Sequence, residues 1–242
     1  MSRTTFGNVV RLTLIMLLLA SLSLSSSCQT AEPTPETSAS PDAAVIPLPE
    51  PRLQSDVSIE ETLAQRRSVR EYTSEPLTLA ELGQLLWAAQ GITGENRRYR
   101  TAPSAGALYP LELYAWVSNV NGLDAGVYRY EPPSHALTRH RTTSDIAALT
   151  EAALGQTWVG DGAAVLVFAA VYERTTQKYG ARGRQYVHME VGHASQNVYL
   201  QAAALELGTV AVGAFDDAAV RRAAGLTDDE VPLYLMPVGP LR

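Results

Sequence analysis

Arg66-Arg67-Ser68-Val69-Arg70 crowds three guanidinium groups and a hydroxyl into five residues, between two segments that read as helices. A guanidinium presents a planar fork of donors matched to phosphate oxygens, and a loop between helices adds backbone N–H groups that need acceptors. The stretch therefore reads as a phosphate cradle, with a solvated basic turn as the plainer alternative. Its flanks are well marked. Ser58 with Glu61, and Thr78 with Glu81, are capping-box pairs, a hydroxyl and a carboxylate spaced to satisfy the first N–H groups of a helix. The first helix runs to about Arg66 with Ile59 and Leu63 on one face. The second carries Leu82, Leu85, Leu86 and Ala89 at helical spacing and ends at Gly91.

Upstream, Arg3 and Arg11 precede the apolar run 12–20, small residues fill 21–27, and Cys28 follows. A basic start, a short apolar core and a small-residue zone form the layout of a secretory signal, and the core is shorter than the roughly 20 residues of a bilayer span. Cys28 stands where a bacterial lipoprotein signal carries its lipidated residue, although Ser25 occupies the place usually held by Leu. Residues 1–28 are thus expected to be a lipoprotein signal. Ser2-Arg3-Thr4-Thr5-Phe6 has one arginine where a twin-arginine signal has two, so export unfolded is expected, followed by anchoring to a membrane. Residues 29–53, rich in Pro, Ala, Ser, Thr and Glu, read as a flexible tether, and 54–242 as one domain. Cys28 is the single cysteine, so the domain has neither a disulfide nor a thiol nucleophile. The net charge of -6 gives no reason to expect nucleic acid as a partner.

Downstream, Pro103-Ser104-Ala105-Gly106-Ala107-Leu108-Tyr109-Pro110 reads as a short capped turn, and 111–120 as a strand. A hairpin is expected from 127–130 and 136–140, a helix over 145–154, and a buried strand in the continuous apolar run 163–172. A long helix over 185–207 is expected to close at Gly208, followed by a strand 210–215, a helix 218–225 capped by Asp216 or Asp217, and a strand 233–238. Interspersed helices and strands without a repeated unit predict an α+β fold with a mixed central sheet.

Several site types are excluded by spacing. His188 and His193 lie five apart on one helix and point in different directions, so they do not share a metal, and no metal site is expected. Gly160-Asp161-Gly162 opens into a strand, the wrong order for a dinucleotide fingerprint. There is no P-loop and no Gly-x-Ser-x-Gly. What remains is the arginine cluster, Ser104 to Gly106, Lys178-Tyr179 and the last residue, Arg242.

Taken in order, Arg66 to Tyr72, Gly83 to Gly91, Arg100 to Pro110, Lys178-Tyr179-Gly180-x-Arg182-Gly183, Gly192-His193-Ala194-x-Gln196-Asn197, Val212 to Asp217 and Pro237-Val238-Gly239-x-x-Arg242 resemble the nitroreductase superfamily, and within it the SagB/ThcOx-type dehydrogenases. The resemblance covers residues 58 to 242. It implies FMN bound without a covalent link at the interface of a homodimer. Arg66, Arg67, Ser68 and Arg70 match the segment on the phosphate and ribityl chain, and Arg242 a second phosphate contact. Pro103, Ser104, Ala105 and Gly106 match a turn along the flavin, and Gly213 and Ala214 the strand end beside its N5. Lys178 and Tyr179 match a pair implicated in substrate deprotonation by azoline-oxidising members, which makes them the candidate catalytic residues. The implied activity is two-electron hydride transfer on a small-molecule or peptide substrate, with NAD(P)H as a candidate donor. Azoline oxidation in peptide modification is a narrower alternative, and a non-catalytic flavin-binding surface lipoprotein is a rival of another class.

Overall fold

The computed structural model describes residues 45–94, 99–142 and 145–242. In chain order the elements are β1 (Val45–Pro47), α1 (Ile59–Gln65), β2 (Leu77–Thr78), α2 (Leu79–Gln90), β3 (Ile92–Thr93) and β4 (Tyr99–Arg100). A 3-10 turn at Ala105–Ala107 leads into β5 (Leu111–Val117), β6 (Val120–Asn121), β7 (Gly126–Glu131) and β8 (Ala136–Arg141). Then come α3 (Ile146–Ala152), α4 (Trp158–Asp161), β9 (Ala164–Val171), α5 (Glu173–Tyr179), α6 (Arg182–Ala204), β10 (Leu207–Thr209), α7 (Asp217–Ala224) and β11 (Glu230–Pro240).

Seven strands make one sheet in the order β1-β8-β7-β5-β9-β11-β10, antiparallel at every junction. The parallel pairing of the domain lies outside that sheet, in the separate two-stranded sheet β2–β6. β9 lies at the centre between β5 and β11, and both its faces are covered. Leu166, Phe168 and Ala170 pack with Leu82, Leu85 and Leu86 of α2 and Val187, Val191 and Val198 of α6. Val165, Val167 and Ala169 pack with Leu149 of α3, Val159 of α4 and Val220 of α7. Alternate residues feed opposite cores, so a continuous apolar run is what a doubly covered strand requires.

Both capping boxes form: Ser58 Oγ accepts from Glu61 N and Thr78 Oγ1 from Glu81 N, each carboxylate returning to the cap's own N–H. Asp216 caps α7, with Oδ1 accepting from Ala219 N at 2.7 Å. Other expectations are corrected. Ile59 and Leu63 are 54% and 56% exposed, so the shared face they form is not a core face within this chain. Residues 173–179 form a helix, α5, despite their polar sequence. α6 stops at Ala204, and Glu206 takes the left-handed backbone (φ 58) that ends it. Gly208, expected at the C′ position of that helix, is instead the middle of β10. The strand expected over 210–215 reduces to a single bridge, Val212 to Leu235.

Residues 1–44, with Cys28 and most of the expected tether, lie outside the described residues. The tether's last nine residues, 45–53, are laid on the domain. β1 pairs with β8, Leu48 is buried, and Arg52 exchanges bonds with the buried Gln84, N–H to Oε1 at 2.8 Å and C=O from Nε2 at 3.0 Å. The polar composition hid a segment whose partners are distant in sequence. A chain beginning at residue 54 should therefore be less stable than one beginning at residue 44, by about 3 kcal/mol for one buried leucine and the lost bonds. Urea unfolding of the two chains checks this, and equal midpoints would show that residues 45–53 contribute nothing.

Candidate functional site

The arginine cluster is seated by two glycines. Gly208 of β10 stands directly opposite Gly239 of β11, and the segment 69–72 lies across them. A Cβ on Gly208 would meet the Val69 side chain at 2.7 Å, and one on Gly239 would meet Tyr72 at 3.0 Å. Val69 N donates to Thr209 O at 2.9 Å, and Tyr72 bridges to Leu241, so the segment joins the sheet edge as a short extra strand.

Around this seat Tyr199 of α6 is the organiser. Its hydroxyl lies 3.2 Å from Ser68 Oγ and accepts from Ala211 N at 2.7 Å, and the Arg66 guanidinium sits over its ring at 5.2 Å. Arg70 lies over Trp158, two residues after Gln156, whose Nε2 donates to Ala214 O at 2.8 Å. Gly213 and Ala214 are exposed beyond the Val212 bridge. Thus Arg66, Ser68, Arg70, Gly213 and Ala214 form one neighbourhood. Arg242 joins its margin, 4.0 Å from Glu71 and exposed. Arg67 turns back instead, donating to Ala64 O and Arg66 O at 2.8 Å, which satisfies carbonyls at the end of α1.

The other predicted residues form a second neighbourhood. Gly106 adopts φ +64, a conformation that favours glycine, and a Cβ there would stand 2.7 Å from Tyr179 Oη and 3.0 Å from Lys178 Nζ. The 103–107 turn and the Lys178–Tyr179 pair are therefore in contact, although they are more than 70 residues apart in sequence. Ser104 Oγ accepts from Tyr109 N at 2.9 Å and fixes the turn. Arg174 ties α5 to it, donating to Tyr109 O at 3.1 Å and pairing with Glu112 at 2.5 Å. Glu112 in turn holds Arg129 at 2.7 Å.

α6 separates the two neighbourhoods. Glu190 and Asn197 face the 100–104 segment, where Asn197 Nδ2 donates to Thr101 O at 3.2 Å. Tyr199 is nine residues from Glu190, hence roughly 13 Å along the axis and half a turn around it. Within one chain the arginine cluster and the glycine turn lie on opposite sides of this helix.

Sequence reasoning missed Tyr199, Gln156, Trp158 and Glu190, because their partners are remote in sequence. A Glu among the small apolar residues of α6 was the one available signal. Glu190 is 2% exposed, and its Oε1 has no hydrogen-bond partner among the described residues. Burial pushes its carboxyl up to about 7, against the Ser104 hydroxyl and the Arg100 guanidinium, which favour the ionised form. Arg100 is itself held under Tyr109 and donates to Gln90 Oε1 at 2.6 Å.

A carboxyl whose pKa is raised by folding binds a proton in the folded state that the unfolded chain has released. Between pH 4.5 and about 7 the Glu190 contribution to stability therefore falls as pH rises, by about 3 kcal/mol in total. Glu190→Gln should gain stability relative to wild type between pH 5 and pH 8. Parallel urea midpoints across that range would show that the proton is not held.

A sheet covered on both faces, with an arginine cluster at one edge and a Lys–Tyr pair against a glycine turn, defines an α+β domain with two candidate binding surfaces. Comparison with known proteins makes this specific. Residues 63–240 match the nitroreductase family. A Methanocaldococcus jannaschii protein bearing the name nitroreductase is 52% identical over 184 residues, 76% of this chain and 91% of that one. The Escherichia coli microcin B17-processing protein McbC is 30% identical over 169 residues, 67% of this chain and 62% of McbC. A Ralstonia eutropha crystal structure described as a nitroreductase superposes with a TM-score of 0.72 at 31% identity, covering 82% of this chain and 90% of that one. The chain belongs to the nitroreductase family of flavin oxidoreductases.

Proposed function

We propose that this protein is an FMN-dependent oxidoreductase whose site is assembled from two copies of the chain. The observation that carries the reading is the division by α6. The cradle of Arg66, Ser68 and Arg70 and the turn of Pro103 to Gly106 lie on opposite faces of one helix, so a flavin held by one chain's cradle needs the turn of a second chain to cover it. Exposed Ile59 and Leu63 on α1, beside the cradle, are apolar surface of the kind such an interface buries.

The residues present fit the cofactor. Arg66 and Arg70 are held by aromatic rings instead of carboxylates, which leaves their donors for a phosphate, with Ser68 between them and Arg242 at the margin. Gly213 and Ala214 present exposed backbone on the same side. Gly106 removes the side chain that would push Tyr179 Oη and Lys178 Nζ off the turn. When bound, FMN supplies two-electron chemistry by hydride transfer at N5. The chain's own contribution is to the proton: Lys178 Nζ and Tyr179 Oη converge on the turn, where one of them takes a proton from the substrate or returns it. A second reading, oxidation of an azoline in a peptide, is favoured by the Lys178–Tyr179 pair and by the similarity to McbC. The lipid anchor at Cys28 is a separate part of the proposal and rests on residues 1–28 alone; Cys28→Ser should release the protein from the membrane fraction of its host.

The purified protein should bind FMN and turn yellow, with Arg66→Gln weakening the affinity at least about tenfold and removal of Arg242 weakening it less. Loss of colour on adding NADH or NADPH would identify a nicotinamide donor. Co-expressing an Arg66→Gln chain with a Gly106→Val chain should restore one intact site per mixed dimer. If the mixture binds no more FMN than either variant alone, the two-chain site is wrong.

A further inference from the structure

The corner between α5 and α6 carries an excess of positive charge, and two of its cations lack an acidic partner among the described residues. Residues 173–186 hold Arg174, Lys178, Arg182 and Arg184 against the single acid Glu173, in a chain with 25 acidic and 19 basic residues. Arg174 of this corner is paired with Glu112, which also holds Arg129. Lys178 and Arg182 have no carboxylate within ion-pair distance among the described residues.

Instead they are placed by rings. Lys178 Nζ lies over the Tyr179 ring at 5.4 Å, and the Arg182 guanidinium over the Tyr186 ring at 5.6 Å. The two rings touch edge to face, with centroids 5.2 Å apart. Each cation thus caps one member of a contacting tyrosine pair, so the two charges stand over neighbouring rings. The tyrosine pair adjoins the Gly106 turn through Tyr179 Oη. Both cations are exposed while the rings beneath them are half-buried, which fixes the stems and leaves the heads to meet a ligand.

We infer that the molecule oxidised or reduced at this site carries a carboxylate, held by Lys178 and Arg182 beside the Gly106 turn. The inference rests on the reading that this corner faces the substrate. Two single positive charges suit the two oxygens of one carboxylate, whereas the three-arginine cradle on the other side of α6 suits a phosphate. An uncompensated pair also draws an anion from solution and favours it over a neutral analogue of the same shape.

Titrating the purified protein with sodium benzoate and with benzamide tests the assignment by calorimetry. Benzoate should bind, weaken as sodium chloride is added, and lose about tenfold in affinity in Arg182→Gln, while benzamide binds more weakly and ignores the substitution. A matching melting temperature for Arg182→Gln shows that the fold is intact. Equal binding of the two probes, or benzoate affinity unchanged in Arg182→Gln, would overturn the inference. The titration is run with and without FMN. A protein that never binds FMN but discriminates benzoate from benzamide sinks the flavin reading and keeps the carboxylate site, and the opposite result does the reverse.

Discussion

Two facing glycines decide where the arginine cluster can be. Gly208 and Gly239 lie opposite each other on neighbouring strands, and their missing side chains let Val69 and Tyr72 rest on the sheet edge at backbone distance. Any larger residue on either strand would lift the 69–72 segment. With it would move Arg66, Ser68 and Arg70, the Leu241 bridge, and the approach of Arg242. The positions of four charged or polar groups therefore follow from a steric allowance in the sheet, with hydrogen bonds such as Val69 N to Thr209 O fixing the register.

α6 has the complementary part. Its face bearing Glu190 and Asn197 supports the turn and the Lys178–Tyr179 pair. Its other face sends Tyr199 to the cradle, where one phenol engages Ser68, Arg66 and Ala211. A buried carboxyl under one half and a half-buried phenol under the other make the helix a structural support for both. Neither half is built from α6 alone.

Much of this was legible in the residues. Capping boxes locate α1 and α2 because the hydroxyl–carboxylate exchange is local, and β9 is evident because both its faces are buried. The arginine cluster reads as a candidate phosphate cradle from its residue types, and the Lys178–Tyr179 pair enters only through the family resemblance. What failed was tertiary. The polar segment 173–179 is a helix held by buried Thr175 and the Arg174–Glu112 pair, neither of which a periodicity shows. Gly208 imitates a helix terminator because a glycine after an apolar run looks the same whether it ends a helix or yields room to Val69. β1 hides in a proline-rich stretch because three residues suffice when β8 supplies the partner strand. The division of the candidate site between two faces of α6 could not be read at all, since motif order along a chain carries no information about sides.

Arg66 and Arg70 rest on the faces of Tyr199 and Trp158. A carboxylate partner would neutralise each charge and would have to be expelled before an anion could dock. A ring face does neither: it orients the guanidinium for about 0.5–1 kcal/mol and leaves its field projecting into solvent. On the proposed reading such a cluster would capture an anion fast, with an association rate that falls as ionic strength rises, and little of the encounter would be lost to breaking existing ion pairs.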